Sequence, residues 1–149
     1  MKRTILISFC MLANLSACIP IDDFKSVKTN TRYESVNFDG VEVTTTGGRG
    51  SFNKYYVILR VKSNERVYLF GDSLRVLCRD GLLSYQVDSD YEKYGSKPIP
   101  LKGEKIVVFG LSGYCFKGDT LTIWGPEILK KGEKYFSLDT MRFVMGGMR

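Results

Sequence analysis

Four pairs of turn-forming residues, Asp39-Gly40, Gly71-Asp72, Asp80-Gly81 and Gly118-Asp119, cut this chain into short extended segments. No run as long as the roughly 10–12 residues of a helix carries a helical stripe of apolar side chains. Glycine beside aspartate supplies the positive φ that tight hairpin turns demand, so each pair offers the chain a place to reverse. The segments between are β-branched and aromatic. Ser35–Phe38 and Val41–Thr46 meet across Asp39-Gly40, and Lys54–Lys62, Arg66–Phe70, Ser73–Cys78 and Leu82–Asp88 follow. After a polar connection, Ser89–Glu104, come Lys105–Gly110, Gly113–Phe116, Asp119–Trp124, Lys134–Leu138 and Met141–Met145. Strands at this spacing predict an all-β domain: an antiparallel β-sandwich or small barrel of roughly 8–10 short strands.

Local details follow from the same rules. Tyr56–Leu59 is continuously apolar and predicts a central strand buried on both faces. Ser63-Asn64 reads as a turn, Gly47–Gly50 as a mobile loop, and Pro98 and Pro100 keep their connection out of a central strand. Gly125-Pro126 ends a strand, and Glu127–Glu133 reads as a short turn of helix or a loop.

The N-terminus is of another kind. Met1-Lys2-Arg3 is basic, and Thr4–Ala17 carries no charge. That run is shorter than the roughly 18–20 residues of a spanning helix, and it ends in small residues, as a secretory signal does. Leu15-Ser16-Ala17-Cys18 resembles the lipobox of bacterial lipoproteins. The resemblance implies cleavage before Cys18, a covalent lipid on its sulfur and an acylated new N-terminus; no other cofactor is expected. Ile19, rather than aspartate, follows Cys18, which in such proteins implies the periplasmic face of the outer membrane. The expected organisation is a signal peptide over 1–17, a flexible tether over 18–33 and a single β domain over 34–149.

The chain has 22 basic and 16 acidic residues, and loss of Lys2 and Arg3 lowers its formal net charge from +6 to +4. Lys and Arg are spread along the sequence, unlike the basic stripe of a nucleic-acid-binding protein, and no nucleic-acid partner is expected. Of the four cysteines, Cys10 leaves with the signal and Cys18 is consumed by the lipid if the lipobox resemblance holds. Cys78 and Cys115 then remain as a pair in an oxidising setting, which argues for one disulfide; two buried free thiols are the alternative.

The chain contains no histidine. Ser-His-Asp and Cys-His catalysis and histidine metal sites are thereby excluded, and two cysteines alone supply too few ligands for zinc. No Ser-x-x-Lys sits at a helix start, and no phosphate-binding glycine spacing occurs. Asp88, Asp90 and Glu92 alternate as calcium-loop ligands do, but no closing glutamate follows, so a solvated loop is expected rather than a metal site. Nothing singles out two carboxylates for hydrolysis, and no enzymatic activity is expected.

Gly110–Phe116 resembles the Ser-Gly-x-x-Tyr loop of periplasmic lysozyme inhibitors, with Ser112-Gly113 in place and Phe116 where that family has tyrosine. The mature part, with Tyr114–Trp124 and Lys130–Leu138, resembles in style the small periplasmic immunity lipoproteins that neutralise type VI secretion effectors. What these resemblances imply is a non-catalytic, membrane-anchored module that binds a protein, either an effector toxin or an envelope component. The alternatives are a structural or assembly lipoprotein and a lysozyme-type inhibitor. Loops on a rigid scaffold carry recognition, so Gly47–Phe52 and Ser89–Pro100 are the candidate contact surfaces. Arg49, Phe52, Tyr91, Tyr94 and Lys97 are the candidate contact residues, with tyrosine the low-entropy anchor.

Overall fold

The computed structural model describes residues 24–49, 55–79, 81–113, 115–116 and 118–146. The expected signal peptide over 1–17, Cys18 and the first part of the expected tether lie outside the described residues. The described residues form ten strands: β1 (Phe24–Ser26), β2 (Tyr33–Phe38), β3 (Val41–Arg49), β4 (Tyr55–Leu69), β5 (Arg75–Cys78), β6 (Gly81–Leu82), β7 (Ser84–Val87), β8 (Ile99–Ser112), β9 (Thr120–Lys131) and β10 (Lys134–Met145). Every pairing is antiparallel. Two short 3-10 turns, Gly71–Ser73 and Glu92–Tyr94, interrupt the strands. Among the described residues no helix is long and apolar enough to cross a membrane.

The strands form two leaflets. One runs β2-β3-β4-β8-β7 and the other β1-β10-β9-β5-β6. They meet where Tyr68 and Leu69 of β4 leave β3 behind and pair with Lys130 and Leu129 of β9. A bulge makes this possible. Ser63 still faces Gly103 of β8, but the next register pair is Val67 with Leu101, so extra residues on β4 bend it out of the first leaflet. Ser63-Asn64, expected to turn, therefore sits inside one long strand. Inward side chains alternate along β3, β4, β8, β9 and β10, and those of both leaflets fill a single core. Leu59, Phe109, Ile123 and Phe143 are each no more than 1% exposed.

The Asp39-Gly40 turn forms as expected. Both residues have positive φ, 50° and 81°, and the Gly40 amide donates to Asn37 Oδ1 at 3.1 Å. Tyr55–Leu69 is central, between β3 and β8, but only one face is sealed; Tyr56 and Ile58 are half-buried on the outer side. Pro100 enters β8 opposite Tyr68. It is tolerated because β7 joins β8 only from Phe109 onward, so β8 is open on that flank.

Three further expectations are corrected. Glu127–Lys131 is strand, neither a turn of helix nor a loop: β9 passes Pro126 through a bulge, and the Glu127 amide, at φ 47°, donates to Ser137 Oγ at 2.9 Å. Gly132, at φ 58°, then turns directly into β10. Gly47, Gly48 and Arg49 extend β3 opposite Val57, Tyr56 and Tyr55, where a loop was expected. Last, the tether does not run to residue 33, because β1 begins at Phe24 and pairs with Met145, Val144 and Phe143. The Phe24 side chain is 1% exposed and meets Tyr55 edge-on, ring centroids 6.4 Å apart. Gly47 leaves it room, since a Cβ there would lie 2.9 Å from the Phe24 ring. The glycine run that looks like a loop is the seat of an aromatic ring.

Candidate functional site

β7 is the last strand of the first leaflet. It pairs with β8 alone, Ser84 to Val87 against Ser112 to Phe109, and its other edge has no strand partner among the described residues. The chain leaves β7 at Asp88 and is pinned there twice. The Asp88 amide donates to the Val108 carbonyl, and Asp88 Oδ2 accepts the Val108 amide, each at 2.9 Å. The connection that follows is folded back by a 3-10 turn, with the Lys97 amide donating to the Tyr94 carbonyl at 2.8 Å. Tyr91 and Tyr94 pack against the core, and the Lys93 ammonium lies 5.3 Å from the Tyr94 ring centroid.

Two depressions adjoin along β7 and share Gln86 and Val87. The first, about 440 Å³, is lined by Asp72, Tyr85, Gln86, Tyr91 and Glu92. The second, about 260 Å³, opens on the outer face of β4 and β8 between Tyr56, Asp88, Gly110 and Ser112. It exists because Gly110 carries no side chain. A Cβ there would stand 3.7 Å from the Tyr56 ring and 3.8 Å from the Gln86 carbonyl. Cross-strand register sets Gly48, Tyr56, Gly110 and Gln86 in one row, so glycine flanks the tyrosine on both sides.

The site is acidic on a chain of net positive charge. Asp72, Asp88 and Glu92 line it. Asp88 Oδ1 is buried without a hydrogen-bond partner among the described residues, an acceptor a docking donor would satisfy. Burial first, then the charges of Asp88 and Asp90, push the Tyr91 phenol above its ordinary value, so it stays a neutral donor at physiological pH. Burial likewise raises Tyr85, partly offset by Arg75. The Tyr85 hydroxyl lies 2.7 Å from the carbonyls of both Gly71 and Leu74, and its ring meets Phe109 edge-on at 5.5 Å. These bonds hold the Asp72 segment against β7. Tyr85→Phe should lower the unfolding free energy by about 1 kcal/mol in urea titration, and a neutral substitution would show that the ring alone positions that wall.

Of the expected contact residues, Tyr91 lines the first depression, while Tyr94 and the exposed Lys97 belong to the same connection. Arg49 ends β3, whose partner row passes through Tyr55 and Leu111 to Tyr85; three strand spacings separate it from β7, about 15 Å. Phe52 lies outside the described residues. Sequence reasoning missed Tyr56, Asp72 and Gln86. No local pattern marks them, and they become neighbours only through pairing.

Cys78 and Cys115 form a disulfide, Cα atoms 5.9 Å apart, that ties the end of β5 to the segment after β8. Asp119 reinforces the joint. It accepts the Phe116 amide and Arg79 Nε, each at 2.8 Å, and those bonds, the amide first, hold its carboxyl below the usual range. The Arg79 guanidinium also sits 4.4 Å from the Phe116 ring centroid. Cys78, Cys115 and Asp119 are the one group of three potential metal-ligand atoms that cluster among the described residues, and their sulfurs are bonded to each other. Asp88, Asp90 and Glu92 do not converge in that way. Ser112 lines the second depression, whereas Phe116 packs beneath Arg79. No protein-family model, curated protein or solved structure matches this chain.

Proposed function

We propose that the chain is a lipid-anchored, non-catalytic protein-binding module at the periplasmic face of the outer membrane, an immunity protein that neutralises a secreted effector. The observation that carries this reading is the paired depression along β7. Its tyrosines are large, rigid contact surfaces; its carboxylates and the orphaned Asp88 oxygen favour a cationic protrusion; and the free edge of β7 offers main-chain hydrogen bonds. An effector presenting a basic segment would be held there by charge and shape together. The lipobox resemblance supports the location, and the absence of histidine agrees with binding rather than turnover.

The test is capture of a partner by the full-length protein in cells, with competition against sister cells. Deletion should make cells sensitive to the attacking strain. Combining Tyr91→Ala with Glu92→Gln should weaken the captured complex by about 100-fold, as loss of a central anchor does. Deletion that leaves resistance unchanged, with no effector captured, would overturn the proposal. A lysozyme-type inhibitor is the second reading, favoured by Ser112 in the lining and by the acidity of the groove. It requires inhibition of lysozyme at micromolar protein, reduced by Ser112→Ala.

A further inference from the structure

One hydrogen bond fixes the direction of every main-chain group on β7. The Asp88 amide donates to the Val108 carbonyl of β8 at 2.9 Å. Amides alternate in direction along a strand, so those of Gln86 and Ser84 also face β8. Tyr85 and Val87 then turn their N–H and C=O groups to the outer edge. Leu83, the residue before in that alternation, has a partner there: its amide donates to the Val76 carbonyl of β5 at 2.8 Å. Beyond this bond the partner is lost. β5 turns to β9, with Arg75 opposite Trp124 and Val76 opposite Ile123. The Leu74 carbonyl is taken by the Tyr85 hydroxyl and by Arg75 Nη1. From Tyr85 to Val87 the edge opens on the first depression, and no strand pairs with it among the described residues.

The other edges are short or defended. β1 and β6 have three and two residues. β2, at the far side of the first leaflet, turns Glu34 inward, 7% exposed, where its carboxylate accepts the Ser26 hydroxyl. The Tyr33 carbonyl of β2 is occupied by the Thr29 and Thr31 hydroxyls at 3.2 and 2.7 Å. An inward charge is a device that keeps sheet edges from pairing. β7, Ser84-Tyr85-Gln86-Val87, carries neither charge nor proline.

Charge changes along the edge. At the Tyr85 end, Arg75 and Asp72 both lie close enough to act on the phenol, with opposite signs. At the Val87 end acids prevail: Asp88 follows the strand, Glu92 lines the wall, and Asp90 acts with Asp88 on Tyr91. The cations of that connection are Lys93 and Lys97. Neither lines the depression, and the Lys93 ammonium rests near the Tyr94 ring.

We propose that the partner binds by strand addition. An extended segment of its chain pairs with the outer edge of β7, exchanging hydrogen bonds with the main chain of Tyr85 and Val87, and a lysine or arginine at its end lies against Asp88 and Glu92. Alternate side chains of the segment fall on the inner side with Tyr85 and Val87, where apolar residues fit, and those between face solvent beside Gln86. The proposal rests on reading the β7 depressions as a protein-binding site, and adds how the partner's backbone is held.

Amide hydrogen exchange on the full-length protein reads this edge residue by residue. In the free protein the Gln86 and Asp88 amides should exchange slowly, and those of Tyr85 and Val87 roughly 100-fold faster. The probe is a displayed library of random peptides selected on the full-length protein. Selected peptides should alternate apolar residues and carry a lysine or arginine, and their binding should slow the Tyr85 and Val87 amides to the rate of their neighbours. Val87→Pro removes an outward amide and spares the β8 ladder. It should weaken peptide binding about tenfold more than Val87→Ala, the worth of one interfacial hydrogen bond. Where that variant does not fold, the exchange pattern decides alone. Glu92→Lys should weaken binding by about tenfold or more and keep the exchange pattern of the free protein. Slow exchange at Tyr85 and Val87 in the free protein would overturn the proposal. So would a selection yielding no peptide that protects them, or an effector captured from cells whose binding leaves both amides fast. Peptides that protect both amides, with deletion leaving resistance to sister cells unchanged, would uphold strand addition and overturn the immunity reading.

Discussion

Phe24→Ala should lower the unfolding free energy by about 3–5 kcal/mol, the range for emptying a buried aromatic site. The residue looks peripheral, in a three-residue strand near the start of the described chain. Yet its ring is 1% exposed and occupies the space above Gly47 while meeting Tyr55 edge-on. Alanine would leave a cavity that the glycine cannot refill, and would loosen β1 from β10. The measurement is urea unfolding of the full-length protein, with Val27→Ala as control. Val27 is 61% exposed, so its truncation should cost no more than about 0.5 kcal/mol. Equal effects of the two substitutions would return residues 24–33 to the status of a tether. The same cavity argument gives Gly47→Leu the opposite fault, a branched side chain pressed into the Phe24 ring.

Replacing Cys78 and Cys115 together by serine should cost about 4 kcal/mol. The two positions are 37 residues apart, and the chain-entropy account gives that figure for a loop of this length. Both cysteines are buried, at 4% and 2% exposure. Changing both avoids leaving a stray reactive thiol. Reductant should destabilise the wild type by the same amount and leave the double variant unmoved. The m-value should rise in both cases, because the unfolded chain is no longer cross-linked and exposes more surface. Wild-type protein indifferent to reductant, with both thiols open to alkylation once unfolded, would restore the free-thiol alternative.

Much of the fold was legible because alternation is local. Val41, Val43 and Thr45 point inward by the period of a strand alone, and Asp39-Gly40 announces its turn in two letters. What stayed hidden depended on residues elsewhere. Ser63-Asn64 and Gly125-Pro126 carry turn chemistry, but opposite strands supply ladders on either side, so each becomes a bulge within a longer strand. Gly132-Glu133 is a compact hairpin turn, masked in the sequence by the Gly125-Pro126 break and the Lys-rich run before it. The lining of the two depressions was half legible. The tyrosine-bearing connection was identified, and Tyr91 reached the depression, but Tyr56 and Asp72 arrive from other strands and turns.

The sequence alone determined the class of this protein: period-two apolar patterning between glycine turns commits the chain to antiparallel sheet, and the lack of any imidazole removes whole chemistries before folding is considered. Only the tertiary structure decided that β4 belongs to both leaflets, that Phe24 closes the core and that Gly110 opens a hollow beside Tyr56. Backbone preference acts over a few neighbouring residues and is written in them. A hollow, or the seat for a ring, is made by side chains far apart in the chain, and exists only once the strands that carry them have paired.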